Sequence, residues 1–481
     1  MGEDLIEEDS FVDLEAGPAA HHLRWGHHYL EPLSMSSTPK TEPVLWRSWE
    51  KGRRSSTGSQ RGDSSPGPRR SLDGSPEGPP GPGSLGAYLR RSLAALFLGS
   101  WFNVLLPFLP AAMVAAHLQL GHATVFTLTC LALAPLSERL GYITEQLALV
   151  TNPTLGGLLN ATFSNAPELI LSLFALKAGV FRVVQLTLLG SILGNILLVV
   201  GCAFLAGGAR HQLQSFNKIA ATTNAGLLLM AVMSILFPTI LVAQHTEIRA
   251  DASLALSRTT AVLMLLAYTA YILFQLVTHR SLFDAPTPPP ATLAGLETGA
   301  SGDEDGEEEE EVVLGFWGGL VWLALVTAAI SSLSDYLVAA VEGAAVQWGV
   351  PLAFLSVIVI PIANNVTEHA AAVVFAVRNK VDISLGIALG SSTQIAMFVL
   401  PLVVLVGWGQ GAPLTLDFRV FATAVLFSAT LVVAYLLQDG ESNWLKGLML
   451  VTMYVVVAAG FFLHKDARLP HLATPQLHID L

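Results

Sequence analysis

The sequence predicts an all-α polytopic membrane protein with about eleven transmembrane helices, one leading helix followed by two inverted five-helix repeats. Three observations carry this: an apolar composition, a succession of apolar stretches each long enough to cross a bilayer, and an internal match between the two halves. Of 481 residues, 52% are hydrophobic and 13% charged, whereas soluble domains carry about a quarter charged residues. The mean hydropathy is +0.56.

Residues 1–90 are rich in Ser, Gly, Pro and Arg, as in SSTGSQRGDSSPGPRRSLDGSPEGPPGPG, and such a segment buries too little apolar area to offset its chain entropy. It reads as a disordered cytosolic tail. The first apolar stretch begins only near Leu93, so no secretory leader opens the chain, and Ile6 stands where a myristoylation signal has Ser or Thr. Apolar stretches follow at about 95–117, 122–148, 154–177, 182–207, 218–243, 257–279, 314–346, 351–377, 382–407, 418–438 and 444–464. At about 1.5 Å per residue each can cross a hydrocarbon layer of about 30 Å. Residues 91–120 form the leading helix, 121–280 the first repeat and 314–465 the second, with 466–481 a short tail. Residues 281–313 form a Pro-rich and acidic cytosolic linker. Eight acids between Asp303 and Glu311 supply most of the net charge of −12. Nothing basic is patterned for nucleic acid. Arg210, Lys218, Arg280, Arg378, Lys380 and Lys446 share a side with a cytosolic N-terminus, while Lys177, Arg182 and Arg249 do not. Cys130 and Cys202 lie in apolar segments and read as packing residues.

The repeat is visible in the polar residues. Residues 160–195, NATFSNAPELILSLFALKAGVFRVVQLTLLGSILGN, lie over 361–395, PIANNVTEHAAAVVFAVRNKVDISLGIALGSSTQI, at an offset of 200. Asn165 meets Asn365, Glu168 meets Glu368, and Gly190-Ser191 meets Gly390-Ser391. Upstream, Leu136-Ser137-Glu138 with Glu145 matches Leu333-Ser334-Asp335 with Glu342, each acidic pair two turns apart on one helix face. Five spans is an odd number, so successive sets start on opposite sides of the membrane. Inverted repeats of this kind build alternating-access transporters with the site near the midplane.

A mid-membrane carboxylate costs several kcal/mol and is retained where it faces an ion path, a partner or water. Around Glu168 and Glu368 stand oxygen donors suited to a hard divalent cation: Asn165, Asn365 and Gln394, with Ser164, Ser191, Ser391 and Ser392. Pro167 and the Asn-rich second segment are expected to break both helices and free backbone carbonyls for the ion. Two carboxylates neutralise a divalent ion. Once it leaves they repel each other, and protons restore neutrality, which is antiport in outline. His369 has no counterpart in the first repeat and either relays protons or simply packs. Arg139 pairs structurally with Glu138; Glu145 and Glu342, with Asp335, either line the ion's paths or cap helix ends. No nucleotide loop is present, so an ion gradient rather than ATP is the expected energy source.

With LNATFSNAPELI in the first repeat, NNVTEHAAAVVFAVRNKVDISLGIALGSSTQIAMFVLPL in the second and LSERLGYITEQLA ahead of the first, residues 90–465 resemble the cation/proton exchanger (CAX) family of the calcium/cation antiporter superfamily. The resemblance implies Ca2+, with Mn2+ a further candidate cargo, leaving the cytosol for a vacuole or lysosome-like acidic compartment in exchange for H+. It places Glu168 and Glu368 at the centre, with Asn365, Ser391 and Gln394 near the ion, and calls for no resident cofactor and no partner beyond ions and bilayer. Ser164 and Asn364 stand where the family's Gly-Asn-Ala-x-Glu pattern has Gly, and SNAPEL leans toward the sodium/calcium exchangers. Sodium-coupled Ca2+ exchange is therefore the alternative, and a passive cation channel a second one. A membrane enzyme would need a nucleophile or cofactor motif beside the carboxylates, and none is present.

Overall fold

The computed structural model describes residues 85–151, 159, 162–244, 250–279, 282 and 312–464. Most of the expected N-terminal tail, the acidic linker and the C-terminal tail lie outside these, as do Arg249 and Arg280. Among the described residues the backbone is helical apart from short turns and one two-stranded ladder. The helices are α1 (Leu85–Leu98), α2 (Phe108–His117), α3 (His122–Leu149), α4 (Ala166–Lys177), α5 (Phe181–Arg210), α6 (Lys218–Ala243), α7 (Ala250–Leu273), α8 (Gly315–Trp348), α9 (Leu352–Val377), α10 (Val381–Gly409), α11 (Val420–Leu436) and α12 (Trp444–Leu463). Seven of them are long and apolar enough to cross a membrane, eight if the bent leading pair counts as one span. The three others at expected spans have evident reasons for falling short. Glu138, Arg139 and Glu145 lower the hydropathy of the continuous helix α3, α11 has 17 residues, and the start of the span containing α4 lies outside the described residues.

The leading segment departs from the single helix expected over 91–120. Its two halves meet at an angle of 84° between Leu98 and Trp101. Ser100 adopts an extended backbone and its hydroxyl accepts from the Phe102 amide, capping the 3-10 turn Trp101–Leu105, so the helix stops and restarts in a new direction. Arg139 of α3 holds the first half in place by donating to the carbonyls of Ala95 (3.0 Å) and Leu96 (3.1 Å).

The ends of the helices establish the inversion. β1 (Gln214–Ser215), just after α5, pairs antiparallel with β2 (Glu441–Ser442), between α11 and α12. Gln214 Nε2 donates to the Ala376 carbonyl (2.8 Å) and to Asn379 Oδ1 (2.9 Å), and the Asn217 amide donates to the Asp382 carboxylate. The α9–α10 turn therefore sits at this ladder end, with Arg210, Lys218, Arg378, Lys380 and Lys446 nearby in sequence. At the opposite end Arg182 donates to the Phe418 carbonyl (2.9 Å) and Gln185 to that of Thr415 (3.0 Å). The turn before α5 and the turn before α10 are repeat partners, yet they lie at opposite ends of the bundle. Lys177 and Arg182 fall at the opposite end, together with Arg419, next to Phe418, and Arg258, which lies over Trp408.

In a bilayer lipid is as apolar as Leu, so helices associate through close packing of small residues. α12 meets α5 in this way: a Cβ on Gly447 would lie 2.7 Å from the Gly201 carbonyl oxygen and 2.8 Å from the Leu205 Cα. Gly447→Val is expected to force the two helices apart and cost about 1–3 kcal/mol, seen as a lower thermal midpoint in detergent. An unchanged midpoint would mean the helices separate freely.

Candidate functional site

The two carboxylates reach the centre of the bundle by different local routes. In the first repeat the chain turns at Ser164–Asn165, and α4 begins immediately after, with Pro167 in its first turn, where a missing N–H costs nothing. Glu168 lies in that same turn, where the helix dipole favours negative charge, and it is 5% exposed. The break expected here is present. In the second repeat it is not: α9 continues as α-helix from Ile360 to Val377 through Asn364, Asn365 and Glu368. Asn disfavours helix by only a few tenths of a kcal/mol, less than the bundle's packing supplies, so the carbonyls stay in the helix and the Asn side chains serve the site instead. A π turn, Leu355–Val359, takes up the irregularity one turn earlier.

Side chains from the two repeats interlock around these positions. Gln394 Oε1 accepts from Asn165 Nδ2 (2.6 Å) and from Ser164 Oγ (3.2 Å). Ser391 Oγ donates to Glu368 Oε1 (3.2 Å), and Asn195 Nδ2 approaches Glu368 Oε2 at 3.5 Å. Asn365 Nδ2 in turn donates to Asn195 Oδ1 (3.2 Å). Asn195 lies within a π turn, Gly194–Val199, and Gln394 immediately precedes another, Ile395–Val399, so the repeat extends to the backbone irregularity itself. Behind Gln394, Thr393 Oγ1 donates to the Asn224 carbonyl (3.3 Å), and Asn224 Oδ1 accepts from the Tyr271 hydroxyl (2.7 Å), which ties α10 to α6 and α7.

Glu168 and Glu368 both line one cavity of about 550 Å³, with Glu138 and Glu145 of α3 and the oxygen donors Ser164, Asn365, Ser391 and Gln394. Its exposed lining residues, among them Glu145, Ile383 and Gly386, belong to the ladder end. The repeat partners of the last two, Val183 and Leu186, are buried at 1% and 0% exposure. Access is thus one-sided. No Lys, Arg or His is among the described residues lining the cavity, and four carboxylates are. Such a surface concentrates cations. Glu138 is ion-paired with Arg139.

The remaining sequence candidates lie elsewhere. Asn165 is buried behind Gln394, Ser191 is buried off the cavity wall, and Ser392 turns back to donate to the Ala388 carbonyl at 2.8 Å, away from the ion path expected for it. On α8, Asp335 is exposed and Glu342 half-buried, and neither lines the cavity. His369 borders a separate recess of about 10 Å³ with Asn195 and Asn365, about enough for one water. Sequence reasoning missed Asn195, which is fully buried and touches both Glu368 and Asn365. A signal was present: an amide stands at the end of each matched segment, Asn195 and Gln394, but one residue out of register at the offset of 200. Asn195→Ala removes a donor from Glu368 and the acceptor of Asn365, so Ca2+ affinity is expected to fall about tenfold, one long charge-assisted bond being worth about 1.5 kcal/mol. Calcium titration of the purified protein checks this, and an unchanged affinity would place Asn195 outside the ion's surroundings.

Inverted five-helix repeats, paired buried carboxylates and a one-sided cation-attracting cavity define a secondary transporter. Comparison with known proteins gives its family. The sodium/calcium exchanger protein family matches residues 121–277 and 318–463. Vacuolar cation/proton exchanger 3 of Oryza sativa subsp. japonica is 49% identical over 381 residues, 79% of this chain and 89% of that protein. Vacuolar cation/proton exchanger 2 of Arabidopsis thaliana is 50% identical over 384 residues, 79% of this chain and 84% of that protein. The structure of native YfkE superposes with a TM-score of 0.62 at 32% identity, covering 76% of this chain and all of that one. The chain belongs to the sodium/calcium exchanger protein family and, within it, to the cation/proton exchangers, which are transporters and not enzymes.

Proposed function

We propose that the protein exchanges Ca2+ for H+ by alternating access, loading Ca2+ from the cytosol into an acidic, vacuole-like compartment. The observation that carries this reading is the meeting of Glu168 and Glu368, one from each repeat, in a single cavity without a basic residue among its described lining. The ladder end, where most of the cationic residues gather, is then cytosolic, as is the N-terminus. A Ca2+ ion enters past Glu145 and Glu138 and reaches the two carboxylates, whose charges balance its own. Ser391, Asn365 and Gln394 supply neutral oxygens from the cavity wall, within the six to eight that calcium takes, and Asn195 steadies Glu368 and Asn365 from behind. When the bundle closes this end and opens the other, the ion leaves along α5 and α8, where Asp335 and Glu342 take the places that Glu138 and Glu145 hold on the entry side. Protons from the acidic compartment then neutralise the emptied pair and allow the return. Lipid is the only other partner the reading requires. Sodium coupling uses similar ligands, but the named relatives are cation/proton exchangers, which supports protons.

The test is Ca2+ uptake into vesicles reconstituted with the purified protein, acidic inside and free of sodium. Uptake that disappears when an ionophore collapses the pH gradient supports the proposal. Uptake that persists after collapse indicates a channel, and uptake that requires sodium indicates sodium-coupled exchange. Adding Mn2+ as a competitor reads its standing as a second cargo.

A further inference from the structure

Gly190 and Gly390 occupy the same place in the two repeats, and their surroundings are opposite. At Gly190, on the closed side, an added Cβ would lie 2.7 Å from the Pro361 ring and 2.7 Å from the Val357 carbonyl carbon. The backbone of α5 therefore touches the backbone of α9 directly, at the π turn Leu355–Val359, and no other residue type leaves room for that approach. At Gly390, on the open side, nothing lies within 4 Å of an added Cβ, and the residue lines the cavity. The neighbouring pairs follow the same rule. Leu186 and Val183 are sealed, while Gly386 and Ile383 are exposed at the cavity.

The geometry points to Gly190 and Gly390 as a matched pair of sealing positions, used in turn: bare backbone at Gly190 closes one end now, and bare backbone at Gly390 closes the other when access switches. This rests on the alternating-access reading above and adds the residues that make each seal possible. An inverted repeat forms its second state by giving each half the conformation the other had, so the seal made at Gly190 reappears at Gly390. Gly390 then has no packing role in the present state and a decisive one in the other. A methyl group there fits the structure described, in a helix that Ala favours over Gly. The same methyl would meet backbone in the alternate seal, as it would at Gly190 now.

The experiment uses the full chain with Cys130 and Cys202 replaced by Ala, carrying one reporter cysteine at a time. Ile383→Cys reports the open mouth and Val183→Cys its closed repeat partner; each is reacted with a hydrophilic maleimide on purified protein. In the parent, both reporters are expected to react, Val183→Cys the more slowly, since only the alternate state exposes it. Adding Gly390→Ala is expected to lower Val183→Cys labelling and Ca2+/H+ exchange at least tenfold. Equilibrium Ca2+ binding and Ile383→Cys labelling stay within about twofold. Gly190→Ala is expected to act oppositely, with Val183→Cys labelled faster. A Gly390→Ala protein that labels Val183→Cys and exchanges Ca2+ like the parent overturns the pairing, as does Gly190→Ala without effect on labelling. The labelling arms do not depend on the ion. A parent that labels on both sides but moves no Ca2+ against protons would sink the functional reading while leaving the sealing positions to stand or fall on their own result.

Discussion

Glu368→Gln, and separately Glu168→Gln, is expected to reduce Ca2+/H+ exchange to background while leaving a folded, monodisperse protein. The side chain keeps its volume, and at position 368 the amide oxygen still accepts from Ser391, so packing and most hydrogen bonding survive. What disappears is half the charge that balances a divalent ion in a desolvated site, together with the group that carries the returning proton. The empty protein even gains, because removing one of two buried like charges relieves their repulsion. The thermal midpoint without Ca2+ is therefore expected to equal or exceed that of the parent, while the rise in midpoint on adding Ca2+, which measures binding to the native state, vanishes. Either mutant retaining the calcium-dependent rise would remove that glutamate from the site.

Arg139→Leu is expected to give the largest loss of stability of any substitution considered. Arg139 is 5% exposed, ion-paired with Glu138, and donates to the carbonyls of Ala95 and Leu96. Removing it leaves two carbonyls without their donor, at about 1–3 kcal/mol each, and leaves Glu138, half-buried on the cavity wall, without its partner. The double substitution Glu138→Gln with Arg139→Leu removes the stranded charge and is expected to recover part of the loss. Thermal unfolding of the two proteins decides it. No recovery in the double mutant would mean that the carbonyls of α1, and not the ion pair, carry Arg139's contribution.

Much of the site can be read from the chain because polar residues stand out in an apolar background. Glu168, Glu368, Asn365, Ser391 and Gln394 are conspicuous in segments that otherwise avoid polarity, and the spacing of all but Gln394 repeats without a gap. Asn195 escaped because its partner amide is one residue out of register, a shift that a π turn absorbs in three dimensions but an ungapped comparison does not. Ser391 and Ser392 look alike in sequence, whereas adjacent residues on a helix point about 100° apart. The Asn-rich segment of α9 reads as a place to unwind; local propensity favours that weakly, and packing on both sides outweighs it.

The membrane class, the two halves, their inversion and the acidic pair were determined by the sequence alone, because hydropathy and helical period are local properties that survive without knowledge of contacts. The bend between Leu98 and Trp101, the anchoring of α1 by Arg139, the place of Asn195 and the end at which the cavity opens were decided only by the tertiary structure. The last has a simple physical reason. Both repeats carry nearly the same pattern, so the chain encodes two closures related by a pseudo-two-fold rotation, and which one forms depends on small differences in packing such as Leu186 against Gly386 and the bare backbone of Gly190 against α9.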